Sequence, residues 1–175
     1  MIPRSLSEVA AAVNGRLFGD DATADSVSTD SRVVRPGALF VALHGERTDG
    51  HEHLGEALAS GAVGAIVDRP ARSVNWSVIE VRDTGRALLD LATDERTRLP
   101  DVKVIGVTGS NGKTSVKDLA AAVLSTRYRT HASRASFNNE VGLPVTLLDA
   151  EPGTEVFVLE MGARHEGDVA VLFDV

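Results

Sequence analysis

The segment that most restricts what this chain can fold into runs from Val102 to Ser125. Val102-Lys103-Val104-Ile105-Gly106-Val107 reads as a strand that enters a glycine-rich loop. Lys113 to Ser125 then reads as a helix, with Val116, Leu119, Ala120 and Val123 recurring on one face. Between them lies Gly109-Ser110-Asn111-Gly112-Lys113-Thr114. A strand that turns directly into a helix leaves the first backbone N–H groups of that helix unpaired, and they can point at an anion. Glycines at 109 and 112 let the chain approach a phosphate closely. Lys113 brings a full positive charge, and the Thr114 hydroxyl suits magnesium. Gly109, Ser110, Asn111, Gly112, Lys113, Thr114 and Ser115 are therefore the candidate nucleotide-binding residues. The strict phosphate-loop pattern asks for a glycine five places before Gly112. Val107 stands there, and the glycines fall at 106, 109 and 112. The competing reading is a glycine-rich turn with a surface lysine.

The rest of the chain supplies the setting. Ser5-Leu6-Ser7-Glu8 has the form of a capping box, followed by Leu6, Val9, Ala10 and Val13 at helical spacing, with Gly15 as the stop. Short strands are predicted at Val27–Thr29, Leu39–Leu43, Ala65–Val67 and Val78–Val81. Arg35-Pro36-Gly37 forms a turn, and a helix runs over Glu52–Ser60. A longer helix covers Thr84–Arg98 until Pro100 ends it. Beyond the loop come a short strand at Thr130–Ala132, a continuous apolar strand at Val156–Leu159 and a helix starting near His165. Strand and helix alternate, which predicts an α/β chain with a parallel sheet. Two domains are expected, residues 1–82 and 83–175.

Composition removes several functions. The formal net charge of −7 argues against a general nucleic-acid binder. With no cysteines, disulfide staples and cysteine zinc sites are excluded. No apolar run is long enough to span a bilayer, and no signal segment follows Met1-Ile2-Pro3-Arg4, so a cytoplasmic protein is the simplest expectation.

The loop Val107–Thr114 resembles the ATP loop of the Mur ligase family, which shares the departure from the strict pattern. Ser136-Phe137-Asn138-Asn139-Glu140-Val141-Gly142-Leu143-Pro144 and Glu160-Met161-Gly162-Ala163-Arg164-His165-Glu166-Gly167-Asp168 resemble the branch that adds D-alanyl-D-alanine to UDP-N-acetylmuramoyl-tripeptide. Asp30-Ser31-Arg32, Pro36–Leu43 and Asp49-Gly50-His51 resemble the UDP-binding domain of the same family. The resemblance implies a small UDP-binding α/β domain followed by the first part of a P-loop ATPase domain. It also implies an ATP- and Mg2+-dependent amide ligase of peptidoglycan synthesis. In such a reaction the γ-phosphoryl group passes to the peptide carboxylate and an amine attacks the acyl phosphate.

The same resemblance implies roles for single residues. Lys113 and Glu160 are catalytic candidates, with Thr114 and Glu160 as magnesium ligands. A carboxylate at the C-terminal end of a parallel strand faces the ligand crevice, which agrees with Glu160. Asn138 and Asn139 are implied near the γ-phosphate and the substrate carboxylate, with Asn139 preferred. Both precede a Gly-Leu-Pro turn, where asparagine is also common for backbone reasons. Ser31, Arg32, His44 and Gly45 are implied in or beside the uridine-diphosphate pocket. His51 and His53 lack a third ligand in sequence and read as capping or surface residues rather than a metal pair. The family pattern continues past Glu160 with a histidine and a modified lysine that help to hold and position magnesium. Neither follows Val175, so this 175-residue chain is expected not to complete ligation alone. Three rival readings stand beside this one: a Mur ligase that adds the third amino acid, a folylpolyglutamate-type ligase, and a non-catalytic nucleotide- or UDP-sugar-binding module.

Overall fold

The computed structural model describes residues 1–175 except 46–47, 71–75, 135–136 and 164. Ser136 and Arg164, which belong to two of the motifs above, lie outside the described residues. The chain divides into two compact units, Met1–Leu91 and Ala92–Val175.

The first unit runs β1 (Arg4–Ser5), α1 (Leu6–Ala12), β2 (Arg16–Phe18), β3 (Thr23–Ala24), β4 (Ser26–Ser28), β5 (Ala38–Val41), α2 (Leu54–Ala59), β6 (Gly64–Val67), β7 (Val78–Glu80) and α3 (Thr84–Thr97), whose last turns pass into the second unit. Short 3₁₀ turns occupy Ser31–Val33 and Gly50–His53. Five strands form one sheet in the order β2-β7-β6-β5-β4, parallel except for the β2–β7 pair. β1 and β3 make a separate antiparallel pair. Every residue of β5 and β6 is buried, as parallel strands covered on both faces require. Phe40, Ala42, Leu54, Ala57, Ala62, Ala65, Val67 and Val78 form one apolar cluster, with Val34 and Trp76 packed against it.

Local chemistry accounts for the start of α1. The Glu8 backbone N–H donates to Ser5 Oγ at 3.2 Å, and the Ser5 N–H donates to Glu8 Oε2 at 2.9 Å, which completes the capping box. The stop is shared: Asn14 takes the left-handed conformation (φ 51°), and the Gly15 N–H donates to the Ala10 carbonyl at 2.8 Å, closing the helix end. A Cβ at Gly15 would lie 2.7 Å from Ile79 Cγ2, so this glycine lets the chain pass close to β7.

The second unit runs β8 (Lys103–Val107), α4 (Lys113–Leu124), β9 (Thr130–Ala132), α5 (Gly142–Leu148), β10 (Val156–Glu160) and α6 (Asp168–Phe173). Its three strands are all parallel in the order β8-β10-β9, and the central β10 is buried along its whole length. α5 corrects the expected Gly-Leu-Pro turn. Gly142, Leu143 and Pro144 are the first turn of a helix, where a proline has no intrahelical partner to lose. α4 carries the expected apolar stripe, but Val116, Leu119 and Val123 are 54%, 68% and 69% exposed, whereas Lys117 is 3% exposed.

Candidate functional site

Three loops leave the C-terminal ends of β8, β9 and β10, and the fold brings their side chains together at one end of the second sheet. β8 ends at Val107, whose carbonyl accepts from the Met161 N–H at 2.9 Å just past β10. Gly106 packs under Met161, whose Sδ would lie 3.1 Å from an added Cβ. The loop then turns through Gly109 (φ 145°) and Gly112 (φ 76°), and Gly112 is the N-cap of α4. Left-handed backbone at the helix start exposes its N–H groups without side chains in the way.

Lys113 folds back over this loop, and its Nζ donates to the Gly109 carbonyl at 2.8 Å. The next residue reaches across to the sheet. The Thr114 hydroxyl donates to Glu160 Oε2 at 2.8 Å. Asn138 Nδ2 donates to the other carboxylate oxygen, Oε1, also at 2.8 Å. Glu160 is 2% exposed, and these two donors meet its carboxylate oxygens in place of solvent. Its backbone N–H donates to Ser133 Oγ at 3.1 Å.

The two adjacent asparagines have different surroundings. Asn138 faces Glu160, and its carbonyl accepts from the Gly162 N–H at 2.7 Å. Asn139 Oδ1 accepts from the N–H groups of Val141 and Gly142 at 3.3 and 2.8 Å, which caps the start of α5. The structure thus brings Lys113, Thr114, Asn138 and Glu160 to one place, and Asn139 holds the turn that follows. Ser133 and Lys117 join this network without any signal in the sequence reading, because a buried lysine and a serine in a loop have no motif of their own.

These groups suit a hard divalent cation. Octahedral magnesium with bonds of 2.0–2.1 Å places neighbouring oxygen ligands about 2.9 Å apart. The Thr114 and Glu160 oxygens lie side by side, joined by a hydrogen bond of 2.8 Å, and both are hard oxygen donors of the kind magnesium takes.

The first unit holds the other candidates. Ser31 is buried, and its hydroxyl donates to Glu56 Oε2 at 2.8 Å, an oxygen that His53 Nδ1 also meets at 3.0 Å. Arg32 is turned onto Asp30, with Nε to Oδ1 at 2.8 Å and Nη2 to Oδ2 at 2.6 Å. That guanidinium lowers the Asp30 carboxyl to about 2, against the pull of partial burial. Gly45 donates its N–H to the Thr48 carbonyl at 2.9 Å. His44 Nε2 meets Asp68 Oδ2 at 2.7 Å.

His51 is neither an exposed residue nor a cap. Its side chain is 4% exposed, and Asp49 does the capping by accepting from the His51 N–H at 2.9 Å. Nδ1 of His51 meets Asp49 Oδ1 at 2.7 Å, and Nε2 lies 3.2 Å from Asp68 Oδ1. Burial pushes the Asp49 carboxyl up, but the bonds from His51 and Arg69 outweigh it and hold the group well below the usual carboxylate range. His44, His51 and Asp68 place one ligand atom each within 4.8 Å of the others. The two imidazoles, however, are stacked at 5.0 Å with planes 28° apart. Both Nε2 atoms face the Asp68 carboxylate, so among the described residues the cluster is a hydrogen-bonded support for the loop and the one group with metal-ligand spacing.

Comparison with known proteins follows the same division. A family model described as "Mur ligase family, catalytic domain" matches residues 23–96, and one described as "Mur ligase middle domain" matches residues 107–174. The UDP-N-acetylmuramoyl-tripeptide–D-alanyl-D-alanine ligase of Escherichia coli is 42% identical over 170 residues, covering 97% of this chain and 37% of that protein. The Bacillus subtilis ligase of the same name is 41% identical over 177 residues, covering 98% of this chain and 38% of that protein. This chain thus spans well under half the length of these relatives. Among solved structures, MurF from Acinetobacter baumannii superposes with a TM-score of 0.90 at 32% identity, over 97% of this chain and 38% of that one. MurF ligase from Thermotoga maritima in complex with ADP superposes with a TM-score of 0.75 at 35% identity, over 84% of this chain and 34% of that one.

Proposed function

From the premise that the chain belongs to the Mur ligase family, we propose that it carries the substrate- and ATP-binding segment of a peptidoglycan amide ligase. The reaction assigned is addition of D-alanyl-D-alanine to UDP-N-acetylmuramoyl-tripeptide, driven by ATP. The observation that carries the reading is the joining of Thr114, Asn138 and Glu160 beside the Gly109–Lys113 loop, at the C-terminal ends of parallel strands.

In this reading the backbone N–H groups at the start of α4 receive the phosphates. Lys113 Nζ exchanges the Gly109 carbonyl for a β- or γ-phosphate oxygen, a stronger, charge-assisted partner. Thr114 and Glu160 are the residues that would hold magnesium, which when bound would supply positive charge beside the phosphate oxygens. Glu160 then has its second oxygen oriented by Asn138, so the carboxylate does not rotate away. The peptide carboxylate attacks the γ-phosphorus and expels ADP; the incoming amine then attacks the acyl carbon, loses a proton and expels inorganic phosphate, leaving the amide. Residues 1–82 take the UDP-linked substrate, with Ser31, Arg32, His44 and Gly45 in or beside its pocket, and residues 83–175 take ATP. The proposal places the chain in the cytoplasm, where ATP is available. No helix among the described residues is long and apolar enough to cross a membrane.

A thermal-shift panel tests the assignment. Selective ligands stabilise the folded state, by about 2.7 kcal/mol at one hundred times Kd. ADP with magnesium and UDP-N-acetylmuramoyl-tripeptide should each raise Tm, and folate should not. Lys113→Ala should abolish the nucleotide shift and keep the UDP-ligand shift. Retention of the full nucleotide shift by that variant removes the phosphate-loop assignment.

A further inference from the structure

α4 buries the wrong kind of residue for an ordinary amphipathic helix. Its valines and its leucine at 116, 119 and 123 are exposed, and the side chain turned inward is a lysine. An apolar residue would fill that space at less cost, because an ammonium must be desolvated and then given partners. Lys117 has two partners that the structure shows. Its Nζ donates to the Ser133 carbonyl at 2.7 Å and pairs with Asp118 Oδ1 at 2.8 Å, where Asp118 is 65% exposed.

Ser133 is the junction. Its N–H donates to the Val158 carbonyl at 3.1 Å, and its hydroxyl accepts from the Glu160 N–H at 3.1 Å. It is 2% exposed, so solvent offers these groups no alternative partner. A closed ring results. Thr114 on α4 reaches the Glu160 carboxylate, Glu160 reaches Ser133 through its N–H, and Ser133 returns to α4 through Lys117. Thr114 and Lys117 are three residues apart, so they lie on the same face of the helix. Two tethers one helical turn apart fix both the distance and the rotation of α4 against the end of β10.

We propose that Lys117 is a positioning residue for the divalent cation: through Ser133 it fixes Glu160 so that the Glu160 and Thr114 oxygens stay side by side. The inference rests on the ATP–magnesium reading of this site. It assigns the buried ammonium to metal affinity, and not to contact with phosphate.

The test is a titration of Mg2+ against binding of a fluorescent ADP analogue to the whole chain, in wild type, Glu160→Gln, Lys117→Met and Ser133→Ala. The quantity read is the gain in ADP affinity that saturating Mg2+ confers. Loss of support behind a metal ligand typically costs about 10- to 100-fold in metal affinity. Lys117→Met should raise the Mg2+ half-saturation concentration about tenfold, and Ser133→Ala should shift it the same way. A packing role alone lowers Tm and weakens ADP equally with and without Mg2+. That result, or an unchanged Mg2+ half-saturation, overturns the proposal. Should Lys117→Met fail to fold, Ser133→Ala decides by the same criterion. If Glu160→Gln loses the Mg2+ effect and the other two variants keep it, the Lys117 role alone falls. If wild type shows no Mg2+-dependent ADP binding, or Glu160→Gln leaves it intact, the magnesium reading falls and the Lys117 role with it.

Discussion

Single residues at the site are held by partners far away in sequence, and their chemistry follows from those partners. Glu160 is read correctly as a strand-end carboxylate from the apolar run before it, but its donors Thr114 and Asn138 lie 46 and 22 positions away. The sequence reading prefers Asn139 of the two asparagines, whereas it is Asn138 whose side chain meets Glu160. Only the capping bonds to Val141 and Gly142 commit Asn139 elsewhere. His131 shows how burial sets a titration. Its ring packs edge-on against Phe157 at 5.8 Å, and burial lowers its pKa from the ordinary 6.5. Because the folded value is depressed, the unfolded chain takes up this proton first as pH falls. The associated stability is whole above pH 6.5 and is lost between there and the lower folded value. The fall in Tm from pH 7.5 to 5.5 should therefore be smaller in His131→Asn than in wild type, measured by calorimetry at the two pH values. Equal falls would show that His131 does not contribute.

At the level of elements, the start of α5 governs the loop that carries Asn138. A Cβ at Gly142 would come within 2.5 Å of Phe137 Cα, a backbone atom that cannot swing away. Gly142→Ala must force the 137–142 turn open. Overpacking of this kind costs about 1–3 kcal/mol. We expect a lower Tm by denaturation and a weaker Mg2+ effect on ADP binding, since Asn138 moves with the turn. A variant as stable as wild type would show that the turn relaxes freely. α1 offers a contrast in which all the information is local. Ser5→Ala removes the side chain that accepts the Glu8 N–H, and it should cost about 1 kcal/mol of stability. Urea unfolding checks the value, and a loss below a few tenths would mean that the β1–β3 pairing holds Ser5 without the cap.

For the whole molecule, two compact units with different candidate ligands predict separable protection. Hydrogen exchange on the intact chain should slow in residues 1–91 when the UDP-linked tripeptide binds. It should slow in residues 92–175 when ADP and magnesium bind. Protection of the first unit by ADP alone would reverse the assignment. The second unit also presents Val116, Leu119 and Val123 along α4 and Ile105 on β8, all exposed apolar residues. Among the described residues, β8 has one paired neighbour in its sheet, β10. An apolar helix stripe and a half-paired strand favour association. Sedimentation should show concentration-dependent self-association that Leu119→Lys reduces, and a monomer at all concentrations would contradict this.

What the sequence by itself determined was local and periodic. The Ser5–Glu8 capping box, the turn at Gly37, the β8–loop–α4 unit and the apolar β10 run each depend on residues within a few positions of one another. Propensity, capping and glycine freedom act over that range. Short or irregular pieces were not legible. β1, β2 and β3 are two or three residues long and only partly buried, so no apolar run marks them, and the Gly-Leu-Pro start of α5 has turn chemistry but helical packing. The tertiary structure alone decided which polar groups meet. The pairing of β10 between β8 and β9 brings Ser133, Glu160 and the start of α4 together. Burial then makes each remaining donor and acceptor find a partner there. That placement, which no stretch of sequence contains, sets Lys117 inside against the Ser133 carbonyl, with the apolar stripe of α4 exposed.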